Sequence, residues 1–417
     1  MLDLDDASVE KNLDASIKDG TAYSVMQGLG ETAVPLCAIF LAASEWWLAL
    51  LMTLPLFVGS CAQLVAVPMI DRLGRRWPLV LGGSLVQALT WIPMIVALFL
   101  PPRAGLIVVT VTNIVYFAAW HFCIPPWNST MGDIVPAEAR GRYFGMRNSV
   151  ASVLLLLSGI AGGLVLTIFK DAGRERWGFV VIFAGSTLAR LLSLYWLSRM
   201  KEPAHAPSTD RGPSLIDFVR GLRTNNFSRF VLCVACANAS AHVAGSLTPL
   251  YFKQICGYEY WGYAAAVQVL VLAQILCLPA WGRLADRRGN RHVMVLTLAL
   301  ITPAPLLWLL SKHLAWSCAV QVLAGVGWAG FNLALNNFLF DAVEPAHRAR
   351  STAYLNFFVN TGVLAGGAIA MLLAWLKPVD LGPLSLSHWI YAAFIVSFVL
   401  RVGTFLLILP RFREVRR

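Results

Sequence analysis

Five ionisable residues stand inside long apolar runs: Glu31, His121, His242, Arg190 and Arg401. A charge-bearing side chain inside a bilayer is expensive, so each is a candidate for function by default. A carboxylate exposed in turn to the two membrane faces can load a proton on one side and release it on the other. An imidazole can share that proton or hydrogen-bond a solute. Glu31, His121 and His242 are therefore the expected proton-coupling groups. The structural alternatives are an ion pair between Glu31 and Arg190, a Glu31 cap on backbone freed near Gly28, Gly30 and Pro35, and histidines bonded to neighbouring carbonyls. Arg190 and Arg401 recur 211 residues apart, which favours a packing role. No carboxylate lies at the depth of Arg401.

The elements that must position these groups follow from composition. The 417 residues are 58% hydrophobic and 13% charged, with a mean hydropathy of +0.66. Soluble domains are nearer half apolar and a quarter charged, so this chain is an all-α integral membrane protein. Apolar runs and their Gly, Pro and charged breaks predict twelve spans: 21–43, 47–69, 78–99, 105–128, 146–169, 178–198, 230–252, 260–281, 292–311, 314–338, 352–375 and 387–410. A disordered chain, a disulfide scaffold and a cytosolic enzyme are excluded, and no room remains for a sizeable soluble domain. At 1.5 Å per residue Glu31 falls about 15 Å into the first span, near the bilayer midplane.

With residue 1 in the cytoplasm, 24 Lys and Arg lie in cytoplasmic segments and 7 on the other side. Both termini are expected in the cytoplasm. The basic residues are divided among membrane-edge loops, which argues against a nucleic-acid patch. The eight cysteines, Cys233 and Cys236 included, fall in or beside spans and read as small hydrophobes. The acidic first twenty residues do not resemble a signal peptide, and the sequon at Asn128 is discounted at a cytoplasmic helix end.

The chain also contains itself twice. At an offset of 208, Asn113 meets Gln321, Trp120 meets Trp328, Asn128 meets Asn336, Asp133 meets Asp341, Arg140 meets Arg348, Arg142 meets Arg350 and Asn148 meets Asn356. At 215, Asp71-Arg72-Leu73-Gly74-Arg75-Arg76 lies over Asp286-Arg287-Arg288-Gly289-Asn290-Arg291. The organisation expected is a tail (1–20), a six-helix bundle (21–198), a cytoplasmic linker (199–229) with a short amphipathic helix around Leu215–Leu222, a second six-helix bundle (230–410) and a tail (411–417).

Two pseudo-symmetric six-helix bundles and a doubled Asp-Arg-x-Gly-x-Arg loop after spans 2 and 8 resemble the major facilitator superfamily (MFS) over nearly the whole chain. The resemblance implies the MFS fold, alternating access, and a cavity lined by spans 1, 4, 7 and 10. Glu31, His121 and His242 would then surround one space, with Gln27, Asn113, Asn238, Trp328, Asn332 and Asn336 as substrate-binding edges. It also implies a cytoplasmic latch from Asp71, Arg75, Arg76, Asp133 and Arg140, repeated by Asp286, Arg291, Asp341 and Arg348. Val67 replaces the motif's leading Gly, which Gly282 keeps. The drug–proton antiporters carry a basic residue in span 4, yet no Lys or Arg lies between Arg103 and Arg140. Gly159, Gly162 and Gly163 resemble their glycine-rich span 5, without its Pro.

The expected function is a proton-coupled secondary transporter, a permease of the inner membrane, moving a small or medium organic solute. A lipid flippase or solute receptor on the same fold is the alternative. Expected partners are a small-molecule substrate, protons and the lipid bilayer, with no nucleic acid and a monomeric state. No cofactor, metal or enzyme motif such as H-E-x-x-H, G-x-S-x-G or a Walker loop is found in the sequence.

Overall fold

A computed structural model describes residues 6–136, 139–203, 215–220, 225–343, 348–375 and 389–414. Helices dominate. The chain opens with α1 (Asp6–Met26), which runs without interruption through a π-helical turn (Gln27–Glu31) into α2 (Thr32–Phe40). There follow α3 (Glu45–Leu73), α4 (Trp77–Ala97), α5 (Pro102–Ile134), α6 (Arg140–Asp171) and α7 (Glu175–Ser198). The short α8 (Leu215–Arg220) lies where the linker helix was expected. The second half holds α9 (Asn226–Gly245), α10 (Thr248–Leu250), α11 (Tyr260–Arg288), α12 (Asn290–Ile301), α13 (Ala304–Leu310), α14 (Leu314–Ala342), α15 (Arg348–Trp375) and α16 (Trp389–Gly403). Together they form the twelve-helix fold, with α1 and α2 as one span, α9 and α10 as another, and α12 and α13 as a third.

Eleven of these helical segments are long and apolar enough to cross a membrane. Their outer faces stay apolar even though nothing protein covers them: Leu188, Leu276 and Leu407 are 68%, 69% and 65% exposed. Faces of that kind suit a lipid solvent. The segment 6–40 is the exception, because its inward face is polar. Where the sequence suggests a tail over 1–20, this helix already runs from Asp6. Asn12 clamps it to the chain just past α7, donating to the Lys201 carbonyl at 3.0 Å and accepting the Lys201 N–H at 2.8 Å.

Two compact units emerge: Met1–Ala43 with Val58–Thr209, and Ser44–Phe57 with Asp210–Arg417. In the first, Trp77, Met131, Ile134, Tyr143 and Leu197 form a buried cluster, and the Trp77 Nε1–H donates to the Leu197 carbonyl at 3.0 Å. In the second, Ala49 packs with Val243, Leu247, Ala370 and Ala393. The beginning of α3 thus groups with the later residues, whereas the linker is where the sequence puts the boundary. Small side chains cause this: Gly367 leaves room for Thr53, whose Oγ1 would lie 2.3 Å from a Cβ placed there.

Candidate functional site

The first helix carries a file of polar side chains spaced three or four apart: Asn12, Ser16, Asp19, Tyr23, Gln27 and Glu31. That spacing puts them on one face. At the end of the file the π-helical turn adds a residue to the helical register, a distortion that recurs at functional sites. Glu31 accepts two hydrogen bonds there, from the Tyr116 hydroxyl at 2.6 Å and from Gln27 Nε2 at 3.3 Å. Both donors are neutral. Among the described residues no Lys, Arg or His pairs with Glu31. Tyr116 is buried and held edge-on against Trp91, ring centroids 5.2 Å apart, so the hydroxyl is aimed by packing.

The helix can approach its neighbours closely because Gly28 has no side chain. A Cβ at Gly28 would lie 2.0 Å from Ser158 Oγ and 2.5 Å from the Leu155 carbonyl oxygen of α6. Gly28→Leu is therefore expected to abolish folding of the first unit, whereas Gly162→Ala, whose Cβ would stand 3.6 Å from Leu29, leaves yield and melting temperature near wild type. Size-exclusion profiles of the two variants check this.

Arg190 does not reach Glu31. Its guanidinium sits 3.9 Å from Asp19 Oδ1 and donates to Ser193 Oγ at 2.5 Å, Ser84 Oγ at 2.8 Å and Gln87 Oε1 at 2.6 Å. Asp19 also accepts from Ser193 Oγ at 2.6 Å and Arg147 Nη2 at 3.3 Å. Asp19 lies before the apolar run, where the sequence suggested only a tail. Among the described residues Arg401 has no acid beside it: it donates to the carbonyls of Ile301 and Ala241.

Within the first unit, Glu31 and His121 turn to different neighbours. His121 faces α3, its Nδ1 3.2 Å from Gln63 Oε1, with Gly59 beneath the ring. It lies five residues beyond Tyr116, roughly 140° around α5, so the two point to different neighbours. His242 turns to its own helix, Nδ1 3.0 Å from the Asn238 carbonyl, which is the structural alternative. Asn238 Nδ2 donates to the Val234 carbonyl and Asn336 Nδ2 to the Asn332 carbonyl, both at 2.9 Å. Asn332 and Asn336 are exposed, Asn113 is buried, and Trp328 is half-buried with its edge on Phe331.

The loop after α3 is tied at its positive-φ Gly74, where only a residue without Cβ turns freely (φ +61°), and Gly289 repeats this (φ +90°). Arg76 is wholly buried and joins three elements: Nη1 lies 2.5 Å from Asp133 Oδ2 and 2.9 Å from Ser129 Oγ, and Nη2 donates to the Pro203 carbonyl at 3.4 Å. Glu202, which sequence reasoning missed, accepts the Arg76 backbone N–H at 2.6 Å and its Nε–H at 3.5 Å, capping α4. Arg75 is exposed and only 4.0 Å from Glu202. Arg140 makes no ion pair among the described residues; it donates to the carbonyls of Val135 and Gly132 and closes the C-terminal end of α5.

The second copy departs from the expected register by one residue. Asn290, not Arg291, stands where Arg76 does: its Nδ2 donates to Asp341 Oδ2 at 3.0 Å. The backbone N–H groups of Asn290 and Arg291 donate to Glu414 at 3.0 and 2.6 Å. Arg291 Nε–H goes to the Phe412 carbonyl, and Asp286 is exposed with no ion pair among the described residues. The side chains of Asp71 and Arg348 lie outside the described residues. Two orphan N–H groups of α12 depend on Glu414. Glu414→Gln is expected to cost about 1 kcal/mol and Glu414→Ala more, read as a lowered thermal midpoint.

The family model described as Major Facilitator Superfamily matches residues 23–278 and 260–417. Over 113 residues the chain is 26% identical to multidrug resistance protein 2 of Bacillus subtilis (strain 168); the match spans 26% of this chain and 28% of that protein. Among solved structures, a mutant of the nucleoside transporter NupG superimposes with a TM-score of 0.72 at 11% identity, covering 97% of this chain and 100% of the other. A bacterial homologue of the human lysosomal transporter Spinster, inward-facing and occupied, gives 0.70 at 14% identity with 98% of both chains covered. At such identities the structural likeness fixes the fold and leaves the cargo open.

Proposed function

Because the chain belongs to the major facilitator superfamily, we propose that it is a secondary active transporter that moves a small or medium organic solute by alternating access, coupled to protons at Glu31. At the coarser level it is a multi-pass membrane transporter rather than an enzyme. The observation that carries the coupling is the isolation of Glu31: a carboxylate held by a phenol and an amide, with no cation beside it among the described residues. Neutral donors stabilise a carboxylate without locking it, so protonation can follow whichever face the site meets.

The cargo suggested is amphipathic, aromatic or weakly cationic, with Gln27 beside Glu31 as an amide contact. His121, whose Nε2 has no partner among the described residues, is a second proton-handling candidate. The Arg76, Asp133 and Glu202 knot acts as the cytoplasmic latch, its second copy running through Asn290, Asp341 and Glu414. The protein works as a monomer in the inner membrane with both termini cytoplasmic. Proteoliposomes carrying an imposed pH gradient test the reading. A panel of aromatic amines and nucleosides should show gradient-driven accumulation of at least one member; equal flux with and without the gradient for every transported solute would overturn proton coupling.

A further inference from the structure

Inside the first unit, beside the N-terminal part of α4 and the C-terminal part of α5, lies a cavity of about 250 Å³. Its charged wall consists of Asp19, Arg147 and Arg190. One carboxylate faces two guanidinium groups, so the cavity carries an excess positive charge. Arg190 is 4% exposed, and among the described residues its Nε–H has no acceptor. A buried donor without an acceptor is uncommon in folded proteins. The remaining wall is aromatic. Tyr23 lies against the Arg190 guanidinium, 4.9 Å from its carbon, and Trp127 lies 4.7 Å from that of Arg147, with Trp120 completing the surface.

We propose that this cavity binds a small aromatic monocarboxylate. A single negative charge balances the excess cation, and guanidinium groups take carboxylates in paired hydrogen bonds. A planar ring fits between indole and phenol faces. The volume suits one ring with its carboxylate, since a cavity of about 150 Å³ already holds benzene. This site differs from Glu31: it has cationic donors and a counter-ion of its own, and it extends the transport reading without depending on it.

The test is calorimetric titration of the purified full-length protein with benzoate, benzyl alcohol and acetate. Benzoate should bind at least about tenfold more tightly than the uncharged ring or the ringless anion. Arg190→Gln should weaken benzoate by about tenfold or more. Because that variant disturbs a buried network, Ile124→Trp serves as the second: Ile124 lines the cavity, and an indole there fills it without removing a charge. Lost benzoate binding in Ile124→Trp with its melting temperature retained supports the site, as does unchanged affinity in Glu31→Gln. Equal binding of benzyl alcohol and benzoate, full benzoate affinity in folded Ile124→Trp, or loss of affinity in Glu31→Gln alone overturns it.

Discussion

Glu31→Gln is expected to remove gradient-driven accumulation while leaving exchange intact. One proton moved with or against each solute converts one unit of pH difference into 1.36 kcal/mol, a solute ratio of about tenfold. In the variant this ratio should fall to about one under the same gradient. Counterflow of labelled solute, which needs alternating access but no net proton movement, should continue within a few-fold of wild type. The substitution is gentle in structure, because an amide oxygen still accepts from Tyr116 and the side chain keeps its shape. Accumulation persisting at the wild-type ratio would remove Glu31 from the coupling step and leave His121, the other proton candidate of this unit, to be tested by His121→Gln.

The second large effect is on stability and state balance. Arg76→Met should lower the stability of the first unit by about 3 kcal/mol, the lower end for breaking a buried ion pair. The lower end applies because Asp133 is 45% exposed and water compensates it, whereas Glu202, 14% exposed, is left facing the α4 terminus with fewer partners. For a unit of this size that shift is roughly 6–12 °C in melting temperature. Arg76→Lys should recover less than half, since a single ammonium cannot reach Asp133, Ser129 and the Pro203 carbonyl as the planar fork does. If the knot also latches, cytoplasmic-side cysteine labelling should rise in Arg76→Met; stability without a labelling change would make it a structural tie alone.

Much of this was readable beforehand, and the parts that were not share a cause. Hydropathy and the duplicated loop dictate twelve helices in two related halves, because lipid imposes one rule on every segment. The Glu31 partner Tyr116 is 85 positions away and silent in any local pattern. Asp19 was passed over because it precedes the apolar run, although the four-residue steps through Tyr23 and Gln27 to Glu31 mark one face. Glu202 and Glu414 had a usable signal, an acid recurring 212 residues apart just after a span, which the linker's general polarity hid. The one-residue slip between Arg76 and Asn290 arises because α12 begins directly after Gly289, whereas α4 begins three residues after Gly74.

The file of polar groups along the first helix bears on how the protein is made. Acidic side chains oppose transfer of an isolated helix from the insertion machinery into lipid, each by about 2.5–3.5 kcal/mol near the centre of a helix. A segment holding Asp19, Gln27 and Glu31 gains little by entering the bilayer alone. It becomes favourable once Tyr116, Arg147 and Arg190 on later helices supply partners. Insertion of this segment is thus expected to be cooperative with the later helices, and truncated chains ending before α7 should leave it accessible to protease.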